Sequence, residues 1–133
     1  MWLRINPRSA TPVYQQMIDG VREGVAKGIL KAGDRLPTVR EMATLQGVNH
    51  NTVAKAYREL ERDKVIETLR SKGTFIATTD AVPNRQEKLE NMKLRINQLI
   101  VEAHHVQIPP ERLKQMFTEA VDMWMREMEE NQA

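Results

Sequence analysis

Residues 37–64 read PTVREMATLQGVNHNTVAKAYRELERDK, a stretch that predicts two helices meeting at a glycine. Thr38 followed by Glu41 is the pattern of a capping box, in which the threonine side chain accepts a hydrogen bond from the first helical turn. Gly47 is expected to end the first helix, because glycine tolerates the positive φ common at helix C-termini. Asn49 is expected to cap the second helix. A short capped helix, a tight turn and a longer helix together predict a helix-turn-helix.

Each of the two helices has apolar residues at three- and four-residue steps, which predicts one buried face per helix. These residues are Val39, Met42 and Ala43 in the first helix and Val53, Ala56 and Leu60 in the second. Another face of the second helix is polar and cationic, and it holds Asn51, Lys55, Arg58 and Arg62. The second helix of such a motif lies in the DNA major groove, so this polar face is the predicted DNA-reading surface.

A β-hairpin is predicted directly after the helix-turn-helix. Residues 65–70 (VIETLR) and 74–78 (TFIAT) are rich in β-forming side chains, and Ser71, Lys72 and Gly73 form the expected turn. A hairpin in this position is typical of the wing of a winged helix, and this one would carry a cation at its tip.

Three segments of the chain resemble the signature segments of GntR-type winged-helix transcription regulators. They read GDRLPTVREMA, VNHNTVAKAYRELERDKVIET and SKGTFIA, and all lie within residues 1–78. The length of 133 residues is similar to that of members of the small YtrA-type subfamily. This resemblance implies a winged helix followed by two C-terminal helices. The resemblance therefore implies a bacterial, cytoplasmic regulator, expected to be a repressor that binds a palindromic operator as a homodimer.

The expected fold class is mainly α, within α+β. A winged helix-turn-helix with a small β-hairpin wing is expected over residues 1–79, and two dimerisation helices over residues 80–133. Charge divides the chain in the same way: residues 1–79 have 13 Lys and Arg against 8 Asp and Glu, whereas residues 80–133 have 7 against 10. Positive charge over a winged helix is the electrostatic footprint that DNA phosphates require, although a solvated surface with an accidental asymmetry is the alternative.

The residues before the helix-turn-helix complete the predicted core. A helix is expected with Thr11 as N-cap and Pro12 as first residue, running to about Lys27 and packing under the helix-turn-helix. Short strands are expected at residues 2–5 and 34–36, the second of them pairing with the wing. The predicted core consists of Leu36, Val39, Met42, Val53, Leu60, Ile66 and Phe75.

The C-terminal part predicts two amphipathic helices after a linker at residues 80–85 (DAVPNR). The first helix has a heptad-like apolar seam, and residues 108–110 (IPP) separate it from the second. Two such helices cannot bury their wide apolar stripes on each other alone, so a second copy of the chain is the expected partner. The predicted dimerisation residues are Leu89, Met92, Ile96, Leu99, Val106, Leu113, Phe117, Val121, Trp124 and Met128.

The start of the second helix of the helix-turn-helix holds the residues predicted to read bases. Side chains there contact base edges, and asparagine can bind adenine through two hydrogen bonds. Capping alone also explains Asn49, but Asn51 is a poor residue for an ordinary helix interior, so a groove contact explains it better. His50 departs from the family, which usually has arginine there, so no guanine contact is carried over. The four residues are Asn49, His50, Asn51 and Thr52.

Further candidate DNA contacts surround this helix. Thr38 begins a helix whose N-terminus can bind phosphate, and Arg40 resembles the family arginine that reaches DNA beside the recognition helix. A surface arginine paired with an acid is the alternative for Arg40. Tyr57 is expected to be half buried, with its hydroxyl free to meet a phosphate. The other candidates are Lys55 and Arg58 on the second helix and Arg70, Lys72, Gly73 and Thr74, which resemble the family's wing tip.

The sequence predicts no enzyme, cofactor or metal site. It has no cysteine, and it shows neither a nucleophile–base set nor a glycine-rich phosphate loop. His104 and His105 are adjacent, so they point to different faces of a helix and are not expected to chelate a metal together. No apolar run approaches the 18 residues or so of a membrane span, and a cytosolic protein is expected.

Two other functions are compatible with the sequence. A winged helix can serve protein–protein contact, but such a module would not need Arg40, Lys55, Arg58 and Lys72 on one surface. Some GntR relatives carry a pyridoxal-phosphate domain, for which a chain ending at Ala133 is expected to have no room. A small-molecule effector is left open, because no residue identifies its ligand. The expected partners are double-stranded operator DNA and a second copy of the chain.

Overall fold

The computed structural model describes residues 2–78 and 82–132. They form two compact units that divide between Val82 and Pro83. The predicted domain boundary at residues 79 and 80 lies outside the described residues. The first unit contains α1 (Val13–Ala26), β1 (Arg35–Leu36), α2 (Val39–Gln46), α3 (His50–Arg62), β2 (Ile66–Leu69) and β3 (Gly73–Ile76). The second contains α4 (Arg85–His105) and α5 (Pro110–Gln132). The expected fold, a winged helix-turn-helix with two C-terminal helices, is confirmed.

The start of α1 differs from the prediction by one residue. Pro12 has an extended backbone, with φ −56° and ψ 148°, and it is the N-cap of a helix that begins at Val13. The prediction that Thr11 is the N-cap is therefore wrong. The backbone oxygen of Thr11 instead accepts a hydrogen bond from Gln16 Nε2 at 2.8 Å. The predicted end of α1 is confirmed, because Lys27 is the C-cap and Gly28 has a φ of 77°.

α1 and α2 both pack on α3, which closes the expected three-helix core. Val53, Ala56 and Leu60 of α3 are fully buried at the predicted three- and four-residue steps. The predicted core residues Leu36, Met42 and Ile66 are also buried, while Val39 packs against this core and is half buried. Leu3, Ile18, Leu30, Tyr57 and Ile76 belong to the same core and were not on the predicted list.

The N-terminal segment contributes to this core without forming the strand predicted at residues 2–5. Leu3 is buried against α1, where a Cβ on Gly20 would lie only 2.3 Å from Leu3 Cδ1. The backbone oxygen of Leu3 accepts a hydrogen bond from Gln46 Nε2 of α2 at 3.2 Å. A side-chain contact and a side-chain hydrogen bond thus hold this segment, and the prediction of a short strand at residues 2–5 is wrong.

The three strands form one antiparallel sheet in the order β1-β3-β2, so the predicted pairing of a minimal strand with the wing is confirmed. Along β3, Thr74 and Ile76 face the core, whereas Phe75 lies on the opposite face and is half buried. Successive side chains of a strand point to opposite faces, so Phe75 and Ile76 cannot both be core residues. The prediction of Phe75 as a core residue is therefore wrong.

The second unit leaves most of its apolar side chains exposed. α4 begins at Arg85, and α5 begins at Pro110 after a turn in which Gln107 has a φ of 62°. Of the 17 large hydrophobic side chains exposed in the described parts of the chain, 12 lie between Met92 and Met125. Ala103 is the one apolar residue of α4 that is buried. The two helices therefore do not bury their apolar stripes within one chain.

Candidate nucleic-acid interface

The first turn of α2 combines a capped backbone with an exposed cation. Thr38 Oγ1 accepts a hydrogen bond from the backbone N–H of Glu41 at 3.1 Å, as the capping-box pattern predicts. Arg40 lies in this turn with an exposed side chain. A helix N-terminus concentrates partial positive charge, and Arg40 adds a full charge beside it. This turn can therefore bind a DNA phosphate.

The first turn of α3 presents two exposed polar side chains on a capped backbone. Asn49 Oδ1 accepts a hydrogen bond from the backbone N–H of Asn51 at 2.7 Å, so the predicted N-cap is confirmed. This bond engages the Asn49 oxygen, and Thr52 is half buried. His50 and Asn51 are exposed. They are therefore the side chains of this turn best placed to meet base edges, which N-terminal residues of a recognition helix contact.

Further along α3, Lys55 and Arg58 are both exposed. Lys55 Nζ lies 3.8 Å from the centre of the Tyr14 ring on α1, a cation–π contact that directs the lysine toward the start of α1. The sequence analysis did not predict this contact, because it joins positions 41 residues apart. Tyr14 thus holds the side chain of Lys55 against α1.

The hydroxyl of Tyr57 is not free, and that prediction is wrong. Tyr57 is 6% exposed, and its hydroxyl donates a hydrogen bond to the backbone oxygen of Pro37 at 2.7 Å. Burial, with the Glu41 carboxylate as a second cause, raises the pKa of this hydroxyl well above its ordinary value. Tyr57 is therefore a buried link between α3 and the residue before the α2 cap.

The wing presents cations at its turn. Arg70 and Lys72 are exposed between β2 and β3, and Ser71 takes up a φ of 64°. Gly73 pairs with Leu69, so it begins β3, one residue earlier than predicted. The side chain of Thr74 is only 8% exposed and faces the core. The prediction of Thr74 as a DNA contact is therefore wrong for its side chain.

Comparison with known proteins decides the family. Residues 13–76 match the family described as "Bacterial regulatory proteins, gntR family". The chain is also 44% identical over 117 residues to the HTH-type transcriptional repressor YtrA of Bacillus subtilis. The aligned region covers 88% of this chain and 90% of YtrA. This chain belongs to the GntR family.

Solved structures agree with this membership of the GntR family. A transcriptional antiterminator from Listeria monocytogenes EGD-e superposes with a TM-score of 0.80 at 37% identity, covering 89% of this chain and 88% of that one. The GntR-family transcription factor YtrA from Sulfolobus acidocaldarius superposes with a TM-score of 0.61 at 33% identity, covering 74% of this chain and 99% of that one. This chain is a transcription regulator with a GntR DNA-binding domain and is not an enzyme.

We also searched the described residues for metal sites and membrane-spanning helices. His104 and His105 are exposed, with ring centres 6.1 Å apart. Across residues 2–78 and 82–132, no group of three or more His, Asp or Glu side chains is placed to hold a metal ion. None of the helices in the described ranges combines the length and the apolarity that a membrane span needs.

Proposed function

We propose that this chain is a homodimeric repressor that binds a palindromic operator, with the start of α3 in the major groove. The observation that carries the proposal is the pair of exposed side chains, His50 and Asn51, on the first turn of a helix that Asn49 caps. The cap pairs the backbone donor of Asn51, and both side chains stay exposed to meet base edges. The repressor role is carried over from YtrA of Bacillus subtilis, which is named a repressor.

The predicted contacts divide into those that read sequence and those that position the protein. His50 and Asn51 are assigned to base edges, because both stand exposed at the start of α3. Phosphate contacts carry no sequence information directly, but they supply most of the salt-dependent affinity. Arg40, Lys55, Arg58, Arg70 and Lys72 are assigned to phosphates, because each is an exposed cation on α2, α3 or the wing turn.

The apolar surface of α4 supports a dimer. Ile96 and Leu99 lie on the predicted seam, 49% and 41% exposed. Leu94 and Val101 are 59% and 56% exposed, and at 100° per residue they lie nearly opposite Ile96. One neighbouring helix cannot cover two opposite sides of α4, so a further apolar surface is needed. A second copy supplies one, with a two-fold axis that matches a palindrome.

The cytoplasm is the proposed location, since a repressor must reach bacterial DNA there. The test of the whole proposal is selection of DNA sites from a random pool, combined with sedimentation of the full chain. We expect an inverted repeat whose half-site centres lie about 34 Å apart, and a dimer at micromolar concentration. A single asymmetric half-site, or a chain that stays monomeric when bound to the selected DNA, would contradict the dimer and the palindrome.

A further inference from the structure

Arg35 lies between two groups of predicted DNA contacts, although the sequence pattern did not single it out. It is the first residue of β1 and pairs with Phe75 of β3. Arg35 Nη2 lies 3.9 Å from Glu41 Oε1 in the first turn of α2, beside Arg40. The same guanidinium covers Gly73, which follows Lys72 in the wing. Arg35 therefore connects the start of α2 with the turn end of the wing.

The position of Arg35 depends on the absence of a side chain at Gly73. A Cβ built on Gly73 would lie 3.3 Å from Arg35 Nε and 3.9 Å from its Cζ. Gly73 also has a φ of 118°, which a residue with a side chain rarely adopts. Glycine thus lets the guanidinium lie close against the strand backbone, and a Cβ there would require it to shift by a few tenths of an ångström.

The charge of Arg35 is only loosely engaged in the free protein. Its side chain is 60% exposed and that of Glu41 is 57% exposed, and a separation of 3.9 Å is long for a hydrogen bond. Exposed ion pairs of this kind are weak, because water screens both charges. A guanidinium has five N–H donors in a planar fork that matches a phosphate. Most of this binding capacity remains open to an anion that meets the guanidinium fork with two oxygens in good geometry.

We propose that Arg35 binds a DNA phosphate beside the wing and that Glu41 is the counterion this phosphate displaces. The proposal rests on the proposed DNA-binding surface and adds one contact to it, between Arg40 and Lys72. A phosphate between α2 and the wing would receive two parallel N–H donors from the planar fork of Arg35, whereas the donors of the Lys72 ammonium do not lie in one plane. Glu41 opposes this binding, since its carboxylate both occupies Arg35 and repels the phosphate.

The first test compares full-length Arg35→Gln with the parent on the selected operator and on unrelated DNA, from about 50 to about 200 mM salt. Each lost phosphate contact should reduce the slope of log affinity against log salt by about 0.9. If the two proteins bind equally when extrapolated to 1 M salt, this slope change means about eightfold weaker binding per subunit at 0.1 M, and about sixtyfold per dimer. The factor should be similar on both DNAs, because a phosphate contact does not read sequence.

Two further variants distinguish the effect of the charge at Arg35 from the effect of the protein's total positive charge. Arg35→Lys keeps a cation and should keep most of the salt slope. Lys31→Gln is the control, because it removes an exposed cation far from the wing turn. Lys31 lies in the loop before β1, and Gly33 of this loop donates its backbone N–H to the backbone oxygen of Ile76, at the opposite end of β3 from the turn. Lys31→Gln should leave the slope unchanged. Thermal unfolding of each variant checks that the fold is intact.

A double-mutant cycle tests the role of Glu41. As a single substitution, Glu41→Gln should increase the affinity for any DNA. In the Arg35→Gln background this increase in affinity should largely vanish, because both residues act on one phosphate. Equal gains in both backgrounds would show that Glu41 acts only through general repulsion. If Arg35→Gln does not fold, unchanged affinity of Glu41→Gln is enough to reject the proposal.

The result that overturns the Arg35 proposal alone is an unchanged slope for Arg35→Gln while Lys72→Ala reduces it. The DNA-binding surface would then stand without this contact. If Asn51→Ala, Lys72→Ala and Arg35→Gln all left DNA binding unchanged, the proposed surface and the Arg35 contact would both be wrong.

Discussion

Tyr57 donates its hydroxyl hydrogen to the backbone oxygen of Pro37 at 2.7 Å, a bond that joins α3 to the residue just before the α2 cap. Tyr57 lies in the core and Pro37 is half buried, so the bond is partly shielded from water. Breaking this bond would leave the hydroxyl and the carbonyl without a partner, which costs free energy where water has little access. The bond therefore helps to fix the distance between the first turn of α2 and the recognition helix, both of which are proposed to touch DNA.

Replacing Tyr57 with phenylalanine should destabilise the fold. Tyr57→Phe removes the donor and leaves the Pro37 oxygen without it, which should lower the free energy of unfolding by about 1–2 kcal/mol. Urea unfolding at equal protein concentration measures the change, since a dimer's stability depends on concentration. Tyr14→Phe is the control: it keeps the ring beneath Lys55 and should change stability by less than about 0.5 kcal/mol. Equal stability of Tyr57→Phe and the parent would show that the bond contributes nothing net.

Stability should fall at alkaline pH because of the same hydroxyl. In the unfolded chain a tyrosine loses its proton near pH 10, whereas burial raises the pKa of Tyr57 in the folded protein. The unfolded state then binds fewer protons than the folded state, so stability falls as pH rises above about 10, by up to about 1.4 kcal/mol per pH unit. Urea unfolding between about pH 9 and pH 11 should show a shallower decline for Tyr57→Phe than for the parent. Identical declines would assign the loss to other groups.

Substitutions at Asn51 and Lys72 should have different effects on DNA binding. Asn51→Ala should cost about 1–3 kcal/mol on the selected operator and relax the preference at one base pair of each half-site. Lys72→Ala should weaken operator and unrelated DNA by the same factor and lower the salt slope by about 0.9 per subunit. Binding titrations and repeated site selection measure both effects. A selected motif that is unchanged by Asn51→Ala would show that Asn51 does not read a base.

The helix boundaries of the helix-turn-helix were predictable from the sequence because local contacts determine them. Thr38 and Asn49 cap helices through bonds to residues two or three positions away, and the positive φ of Gly47 needs only glycine itself. These features depend on the neighbouring sequence, whatever the rest of the chain does. The start of α1 was less predictable, because Gln16 binds the backbone of both Thr11 and Asn6 and so alters the approach to the helix.

The parts of the site that were not predictable depend on contacts between distant residues. The Tyr57 bond spans 20 positions. The Arg35 contact with Gly73 depends on the register of β1 against β3. The same register decides that Ile76, and not its apolar neighbour Phe75, faces the core. Composition alone cannot make that choice, because both side chains suit a buried strand position.

A single charge on the seam of α4 should separate the subunits. Ile96→Glu places a carboxylate on the proposed dimer surface, where burial without a partner is costly. Gln98→Glu is the comparison variant: it adds the same charge about 200° around the helix, beside Leu94, and so tests whether the opposite apolar side forms the interface instead. Sedimentation should therefore show a monomer for Ile96→Glu and a dimer for Gln98→Glu at micromolar concentration.

DNA binding by the two variants tests what the dimer contributes. In a dimer the second half-site is bound intramolecularly, so its loss should weaken binding to the palindrome by about 100- to 10,000-fold. Binding to an isolated half-site should change little, because α2, α3 and the wing are untouched by Ile96→Glu. If Ile96→Glu stays dimeric, the seam around Ile96 is not the subunit interface. A monomeric Ile96→Glu that binds the palindrome as tightly as the parent would mean that one chain reads the operator alone, and the exposed face of α4 would then need a different partner.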